Sequence, residues 1–236
     1  MTGPLRNEPR ASDIVDMRLL EATRTTGCPV CAVRVRAEQG MLDAIINERV
    51  LDRGFRAELE RTQGFCRRHV AALVPTDRRE GGGTLGSSIL LAAVIDRRIA
   101  GLRGAAGARG RDLRARLKAA RERPPCIACQ HGVTAVETAL TRFAERTRDP
   151  AWAEALAGAA LCLDDFVALW SHAGPDASFE PVARAQVARF DDLRGRLEGY
   201  AHHSSHDRRH LLTADERTAA DEASRVLGGD LQEARG

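Results

Sequence analysis

Apolar residues recur every three or four positions along most of this chain, which is the spacing of one buried face of a helix. Ile14, Met17 and Leu20 show this spacing in the first such segment. No segment alternates between apolar and polar residues as a half-buried strand would. The pattern predicts an all-α protein with helices over about residues 12–25, 30–51, 53–61, 66–75, 85–102, 128–146, 151–171, 179–201 and 213–228.

Glycine and proline residues predict where the helical pattern stops. Residues 76–83 are charged and glycine-rich, so we expect a loop there after Pro75. Residues 101–123 are rich in small residues and arginine and are expected to form a connector. Pro124 and Pro125 follow it and forbid a continuous helix, so they mark a module boundary.

One cysteine pattern occurs twice in the chain. The CxxC motif at Cys28–Cys31 matches the one at Cys126–Cys129, and Cys66 and Cys162 follow at nearly equal distances. The residues after Cys66 and Cys162 also match in their apolar positions. This agreement predicts a tandem duplication of one helical hairpin.

The first half offers four candidate metal ligands, three cysteines and one histidine: Cys28, Cys31, Cys66 and His69. Three thiolates and one imidazole supply the four N/S ligands of a tetrahedral Zn²⁺ site. A helix out and a helix back would return the second pair to the first, so the metal would pin the open end of the hairpin. Four unrelated residues, an iron–sulfur cluster or a redox dithiol are the alternatives. Neither CxxC follows a strand, which disfavours a thioredoxin-type site, and neither is followed by His, which excludes c-type haem attachment.

The second half offers an aspartate in place of the histidine, and its predicted ligands are Cys126, Cys129, Cys162 and Asp165. A carboxylate can ligate zinc, and His131 or His172 could supply the fourth ligand instead. A degenerate site that holds metal weakly is the other interpretation. Three thiolates with an exchangeable fourth position could also make a Lewis-acid site, but the sequence shows no companion general base.

These motifs predict three segments along the chain. Residues 1–26 form an N-terminal helix, residues 27–123 a first metal-binding helical module with its basic connector, and residues 124–236 a second metal-binding module with the C-terminal helices.

Composition indicates an ordinary globular protein and excludes few classes. The chain has 236 residues, of which 43% are hydrophobic, 29% charged and only 4% aromatic. This balance argues against disorder and favours helix. Residues 1–12 lack an apolar core, and the longest apolar run, residues 89–95, is too short for a membrane span. We therefore expect a cytoplasmic protein with reduced thiols, where paired cysteines suggest metal or redox chemistry rather than disulfides.

Charge does not by itself indicate a nucleic-acid partner. The net charge is +3, and Lys118 is the only lysine, a bias typical of a GC-rich genome. Residues 97–123 contain ten basic residues against Asp112 and Glu122, with no aromatic residue for base stacking. A solvated basic helix is the simplest interpretation, and an acidic partner or a backbone-only contact with nucleic acid is the alternative.

Two weaker patterns also occur in the chain. Gly81, Gly83 and Gly86 fit GxGxxG but follow charged residues rather than a strand, so a flexible loop entering a helix is expected. The histidines near the C-terminus, on a continuous helix, would share a face and could bind a transition metal, although such clusters are more often solvent-exposed. They are His202, His203, His206 and His210.

Several motifs together resemble an uncharacterised prokaryotic family catalogued as domain of unknown function 6062. They are GCPVC at 27–31, GFCRRH at 64–69, LGSSIL at 85–90, PCIAC at 125–129 and LCLDDF at 161–166. The resemblance extends over about residues 27–229 and implies a CxxC and a CxxH in each half, with the cysteines and His69 as metal ligands. This chain departs from that pattern at Asp165, and the family brings no assigned activity.

The sequence favours a zinc-stabilised, non-enzymatic binding or scaffold module that holds one or two Zn²⁺ per chain. A thiol- or metal-based redox sensor and a metal-dependent enzyme that uses the second ligand set are the alternatives. A protein partner is compatible with this prediction, whereas nucleic acid and membrane are disfavoured. The oligomeric state stays open.

Overall fold

The structure, a computed structural model, describes residues 8–122 and 124–229. The start of the predicted N-terminal segment, residues 1–7, and Arg123 of the basic run lie outside the described residues, as do residues 230–236. Within the described ranges every regular element is helical, so the prediction of an all-α protein is confirmed. The helices are α1 (Ile14–Thr23), α2 (Pro29–Ala44), α3 (Arg53–Arg61), α4 (Arg67–Gly81), α5 (Leu85–Ala105), α6 (Gly110–Arg121), α7 (Ile127–Arg146), α8 (Pro150–Gly158), α9 (Leu163–Ala173), α10 (Glu180–His203) and α11 (Ala214–Gly228).

Three short segments extend or connect these helices. A π-helical turn over Ile45–Arg49 continues α2, and 3-10 turns lie at Ala177–Phe179 and Arg209–Leu211. At the start of α11, Thr213 and Glu216 form the reciprocal capping box that their spacing predicts. No helix in the described ranges is long and apolar enough to span a bilayer.

Helix α4 continues past Pro75, which the sequence predicted as its end. The predicted loop over residues 76–83 is therefore wrong in its first part. Two buried contacts hold the extra turn: Thr76 accepts a hydrogen bond from Gln39, and Asp77 accepts from the backbone N–H and hydroxyl of Ser87. These tertiary bonds offset the cost of proline within a helix.

The single helix predicted over residues 151–171 is in fact two. Helix α8 ends at Gly158 and α9 begins at Leu163. The break leaves carbonyl groups at the end of α8 without helical partners. The buried side-chain amide of Gln186 donates hydrogen bonds to two carbonyl oxygens in this segment, those of Leu156 and Ala159. The break also places Cys162 at the start of a new helix.

The basic connector also contains a helix, α6, in which no residue is buried. The sequence predicted a connector over residues 101–123, with a solvated basic helix as the simplest interpretation of its charge, and α6 agrees with that interpretation. Its arginines and alanines are good helix formers.

The chain divides into two compact units. The terminal unit comprises the chain up to Val35 and from Ala135 onward, and the central unit comprises Arg36–Thr134. Each boundary falls inside a CxxC helix, α2 or α7. The three predicted segments and the tandem duplication stay predictions.

The terminal unit has a core of large side chains from α1 and from α7 to α10. Trp152, Phe143 and Phe179 are fully buried in it, and Phe166 stacks against Phe179. Asp16 is buried as well, and its carboxylate accepts hydrogen bonds from Ser12 and from the guanidinium of Arg146. These contacts fix α1, and with it the chain that leads to the first CxxC, against α7.

The central unit has its own core around Phe55, Phe65 and Leu73. Gly64 lies just before Phe65 at a φ of +91°, and a Cβ there would lie 2.6 Å from the Val94 side chain. Only glycine combines that backbone angle with so close an approach. This turn after α3 delivers Cys66 to the start of α4.

Candidate metal centres

All four predicted cysteine-containing motifs lie at the starts of helices. Cys66 and Cys162 are the residues that cap α4 and α9, and Cys28 and Cys126 directly precede α2 and α7. In each motif the carbonyl of the first cysteine accepts the first hydrogen bond of its helix. The second ligand follows three residues later, in the first helical turn. Helix N-termini carry partial positive charge, which stabilises thiolates.

The first group of candidate ligands is the histidine cluster, which lies within the central unit and consists of Cys66, His69, Cys126 and Cys129. It forms where the N-termini of α4 and α7 meet. The Nδ1 atom of His69 lies 3.3 Å from Cys66 Sγ and 3.4 Å from the sulfurs of both Cys126 and Cys129. The sulfurs of Cys66 and Cys129 are 3.8 Å apart.

The second group is the aspartate cluster, which lies within the terminal unit and consists of Cys28, Cys31, Cys162 and Asp165. It forms where the N-termini of α2 and α9 meet. One carboxylate oxygen of Asp165, Oδ2, lies 3.2 Å from the sulfurs of Cys28 and Cys31 and 3.1 Å from that of Cys162. The sulfurs of Cys31 and Cys162 are 3.9 Å apart.

The structure therefore combines the predicted residues in a different way from the sequence prediction. We expected the first CxxC, Cys28–Cys31, to meet Cys66 and His69, and this pairing is wrong. The same holds for the second CxxC, Cys126–Cys129, which was expected to meet Cys162 and Asp165. Each CxxC instead meets the later pair of the other half.

Unequal helix lengths explain why the predicted hairpins do not close. At about 1.5 Å per residue, α2 with its π turn is roughly 30 Å long, whereas α3 is only about 14 Å long. In the second half, α7 likewise has 20 residues and α8 only nine. In each half, the helix before the later cysteine, α3 before Cys66 or α8 before Cys162, is too short to span the length of the CxxC helix and bring that cysteine next to the CxxC of the same half.

The four donor atoms in each cluster fit a tetrahedral metal. With Zn–S bonds of about 2.3 Å and Zn–N or Zn–O bonds of about 2.0 Å, the edges of a tetrahedron are about 3.8 Å between sulfurs and about 3.5 Å to N or O. The sulfur pairs at 3.8 and 3.9 Å match this edge, and the mixed pairs at 3.1 to 3.4 Å are slightly shorter. All donors in each group lie within 4.8 Å of one another.

All six cysteines lie in the described residues, and none of them forms a disulfide. The sulfurs of Cys66 and Cys129, at 3.8 Å, and of Cys31 and Cys162, at 3.9 Å, are far outside the bond length of about 2.05 Å of a disulfide. The residues present thus fit a metal ion better than a covalent bridge.

In the histidine cluster, the pKa shifts favour a positively charged His69 and a negatively charged Cys126. Burial opposes a charged His69, but hydrogen bonds with Cys126 and Glu38 outweigh it and raise the pKa of His69 to about 10. Burial likewise opposes a Cys126 thiolate, yet the hydrogen bond with His69 and two backbone N–H groups lower the pKa of Cys126 to about 6. Burial and the neighbouring Cys126 thiolate raise the pKa of Cys129 to about 12. One thiolate is therefore balanced by one imidazolium.

In the aspartate cluster, the surroundings oppose the thiolate form of the cysteines. Hydrogen bonding to Cys162 and then burial raise the pKa of Cys31 well above its ordinary value. Hydrogen bonding to Cys28 and then burial do the same to the pKa of Cys162. Neighbouring anionic groups oppose one another in this buried space because Asp165 takes the place that the basic His69 holds in the other cluster. A divalent cation would remove that repulsion.

Sequence analysis missed three residues around His69. Glu38, which is 5% exposed, approaches the Nε2 atom of His69 at 3.3 Å through its Oε2 atom. Arg68 pairs with the same carboxylate at 2.5 Å. Gly132 of α7 leaves room for Glu38, because a Cβ there would lie 2.7 Å from Glu38 Cγ. An N–H at Nε2 directed to a carboxylate leaves Nδ1 available to bind a metal.

One sequence signal could have revealed Glu38. It lies on the same face of α2 as Leu42 and the following Ile45, both of which are buried. A charged residue on an apolar helix face calls for a buried partner.

The alternative ligands predicted for the second site do not join it. His131 is exposed, and His172 lies 3.5 Å from Glu137. Asp165 holds the fourth position instead.

The C-terminal histidines do not form a ligand group in the part of the chain that the structure describes. Helix α10 ends at His203, so the continuous helix that would align them does not exist. His203 pairs with Glu216, and His202 lies beside Arg208.

A cavity of about 210 Å³ borders the aspartate cluster. Cys28 and Cys162 lie on one side of it, and Arg189, Glu222 and Arg225 of α10 and α11 lie on another. Glu222 pairs with Arg196 at 2.8 Å, and this hydrogen bond lowers the pKa of Glu222.

The fold and the two clusters define an all-helical protein with two candidate metal-binding centres of three cysteines and one further ligand. The model of the family DUF6062, described as a family of unknown function, matches residues 11–180. The chain belongs to this family, as its motifs predicted. The matched residues include all eight cluster residues and end at the start of α10. No curated protein and no solved structure gives a match.

Proposed function

We propose that each cluster binds one Zn²⁺ and that the two ions stabilise an all-helical binding or scaffold module. The observation that carries this proposal is the closed geometry of both groups, with four donors from the protein within 4.8 Å of one another. Structural zinc sites are four-coordinate and complete, whereas catalytic sites keep a position open for water or substrate.

The separations support a single ion in each cluster rather than an iron–sulfur cluster. An iron–sulfur cluster would place several iron and sulfide ions between the cysteines and hold their sulfurs further apart than 3.8 Å. The mixed donor sets, with imidazole or carboxylate beside thiolates, suit the borderline character of Zn²⁺.

The cavity beside the aspartate cluster supports a structural role over an enzymatic one. A metal-dependent hydrolase or transferase needs a general base near the ion with a pKa close to neutrality. Glu222 is the carboxylate that lines this cavity, and its ion pair with Arg196 lowers its pKa. Such a carboxylate is a weak base.

A redox sensor is the second candidate, and one observation favours it. Cys66 and Cys129 of the histidine cluster are only half-buried, and their sulfurs are 3.8 Å apart. Peroxide could take two electrons from these thiolates, forming their disulfide and, with two protons, two waters. The aspartate cluster has all three cysteines buried and would react later.

Metal analysis of the purified full-length protein tests the proposal. We expect about two zinc ions per chain that stay bound under mild peroxide. Release of about one ion together with loss of two free thiols would favour the sensor instead. A folded protein free of metal after growth in zinc-supplemented medium would overturn both.

Glu38 should set the affinity of the histidine cluster. In a Cys162→Ser background, which leaves one cluster, we expect Glu38→Ala to weaken Zn²⁺ binding by about 10–100-fold because His69 loses the partner that orients it. Gly132→Ala should have a similar effect from the other helix, since its methyl group displaces Glu38. Competition with a chelator measures both.

Glu60→Ala is the matched control for this experiment. Glu60 is exposed on α3 in the same unit, so its removal should leave the affinity unchanged. Equal affinities for all of these variants would show that Glu38 plays no part in metal binding.

A further inference from the structure

Helices α5 and α6 form a hairpin that the rest of the described residues leave largely uncovered. We call residues 92–121 the basic hairpin. Helix α6 packs against α5, and Arg116 donates to the carbonyl of Gly104 at 2.7 Å. From Ile95 to Gly104 every residue but Arg98 is exposed. A helical pair with so little burial has surface available for a partner.

One face of α5 carries an exposed apolar seam. Ala92, Ile95, Ile99 and Leu102 follow one another at intervals of three, four and three residues, which is the spacing of a coiled-coil interface. Ile95 is 54% exposed, Ile99 36% and Leu102 53%. This seam is separate from the side of α5 that faces the core of the central unit, where Leu90 and Val94 are buried.

The shape of the seam favours a helix as its occupant. Four residues at this spacing cover an arc of only about 80° around the helix, as in the narrow a/d seam of coiled coils. Helices that lie in a membrane surface have a wider apolar face and commonly include Trp or Phe. Residues 92–121 contain no aromatic residue.

Charge around the seam specifies the sign of the partner. Residues 95–121 contain nine basic residues, against the acidic Asp96 and Asp112. Asp112 is already paired with Arg116 at 3.0 Å. A second copy of this hairpin would bring the same positive charge and be repelled, whereas Glu and Asp beside an apolar seam would pair with these arginines.

We propose that the basic hairpin docks an acidic amphipathic helix of a partner protein along the Ile95–Leu102 seam. The partner's apolar residues would pack between those of α5, and its flanking carboxylates would pair with the surrounding arginines. This inference rests on the binding role proposed above and not on the metal centres. Under this proposal, the segment predicted as a connector takes part directly in binding a partner.

Two designed helical peptides test the inference. Both carry Leu at the a and d positions, and the other exposed positions are Glu in one and Lys in the other. We expect the acidic peptide to bind the full-length protein with a Kd on the order of 10 µM in fluorescence anisotropy, and the basic one to bind at least about tenfold more weakly.

Seam variants identify the surface. The double variant Ile95→Ser/Leu102→Ser should weaken binding of the acidic peptide at least about tenfold. Leu51→Ser is the matched control, because Leu51 is 75% exposed in the same unit but lies outside the hairpin. It should bind the acidic peptide as the wild type does.

Three results would overturn the inference: no binding of the acidic peptide at about 100 µM, unchanged binding by the seam variant, or tighter binding to phosphatidylglycerol vesicles or duplex DNA than to the acidic peptide. Metal content measured on the same preparations tests the zinc proposal separately, so a failure of the docking proposal can be distinguished from a failure of the zinc proposal. A seam variant that keeps its wild-type metal content shows that its loss of binding is local.

Discussion

Replacing Cys28 and Cys162 together by serine will remove about one metal ion per chain, whereas replacing Cys28 and Cys66 together will remove about two. The reason is that Cys28 and Cys162 belong to one cluster, while Cys28 and Cys66 belong to different ones. Plasma mass spectrometry on the purified variants gives the stoichiometry. Titration with Co²⁺, whose thiolate bands report each occupied site, checks it independently.

The pairing predicted from the sequence gives the opposite result. If Cys28 and Cys66 shared one ion, their joint replacement would remove about one and the Cys28/Cys162 pair would remove about two. The single variants, each expected to lose about one ion, are the controls. The experiment thus separates two ligand assignments that use the same residues.

Removing one ion should unfold one unit of the chain. Structural zinc contributes apparent binding energies of about 10–16 kcal/mol in small domains, which is comparable with the whole stability of about 5–15 kcal/mol of a typical domain. We therefore expect Cys66→Ser to abolish hydrogen-exchange protection across α3 to α5 of the central unit. Cys162→Ser should abolish it across α8 to α10 of the terminal unit.

Each variant is the control for the other, because the substitution is the same and only the cluster differs. Hydrogen exchange followed by mass spectrometry reads both units in one sample. Equal loss of protection in both units with either variant would show that the two clusters do not stabilise separate parts of the chain.

The two clusters differ at two positions. One has His69 where the other has Asp165, and the residue that would lie behind this ligand also differs. Seven residues after the last cysteine of each CxxC, α2 has Glu38 and α7 has Val136, and both are buried. An imidazole that binds a metal through one nitrogen needs an acceptor for the other, which Glu38 provides. A carboxylate ligand has no such N–H, so an apolar residue suffices. Asp165 is thus compatible with a complete site rather than a degenerate one.

Local rules predicted the ligands well because they act within one helical turn. A cysteine at a helix start and a second ligand three residues later share a face whatever the rest of the chain does. The eight candidate residues were therefore found by spacing, and all eight lie in the two clusters. Their role as metal ligands stays a proposal.

Nonlocal contacts decided what the spacing could not. Helix α4 passes Pro75 because Asp77 binds Ser87 ten residues later, and α8 ends early because Gln186 of α10 accommodates its carbonyl groups. Glu38 gains its place from Gly132, on a helix almost a hundred residues away. No single helical turn contains both members of any of these pairs.

The sequence by itself determined that the chain is helical, where the CxxC helices begin and which side chains could hold metal, since these depend on periodicity and on geometry within single helices. Only the tertiary structure decided which helix ends meet. That choice depends on the unequal lengths of α2 and α3, and of α7 and α8, and on the cores that fix their packing. Loop closure costs change slowly with loop length, so spacing along the chain could not select one pairing over the other.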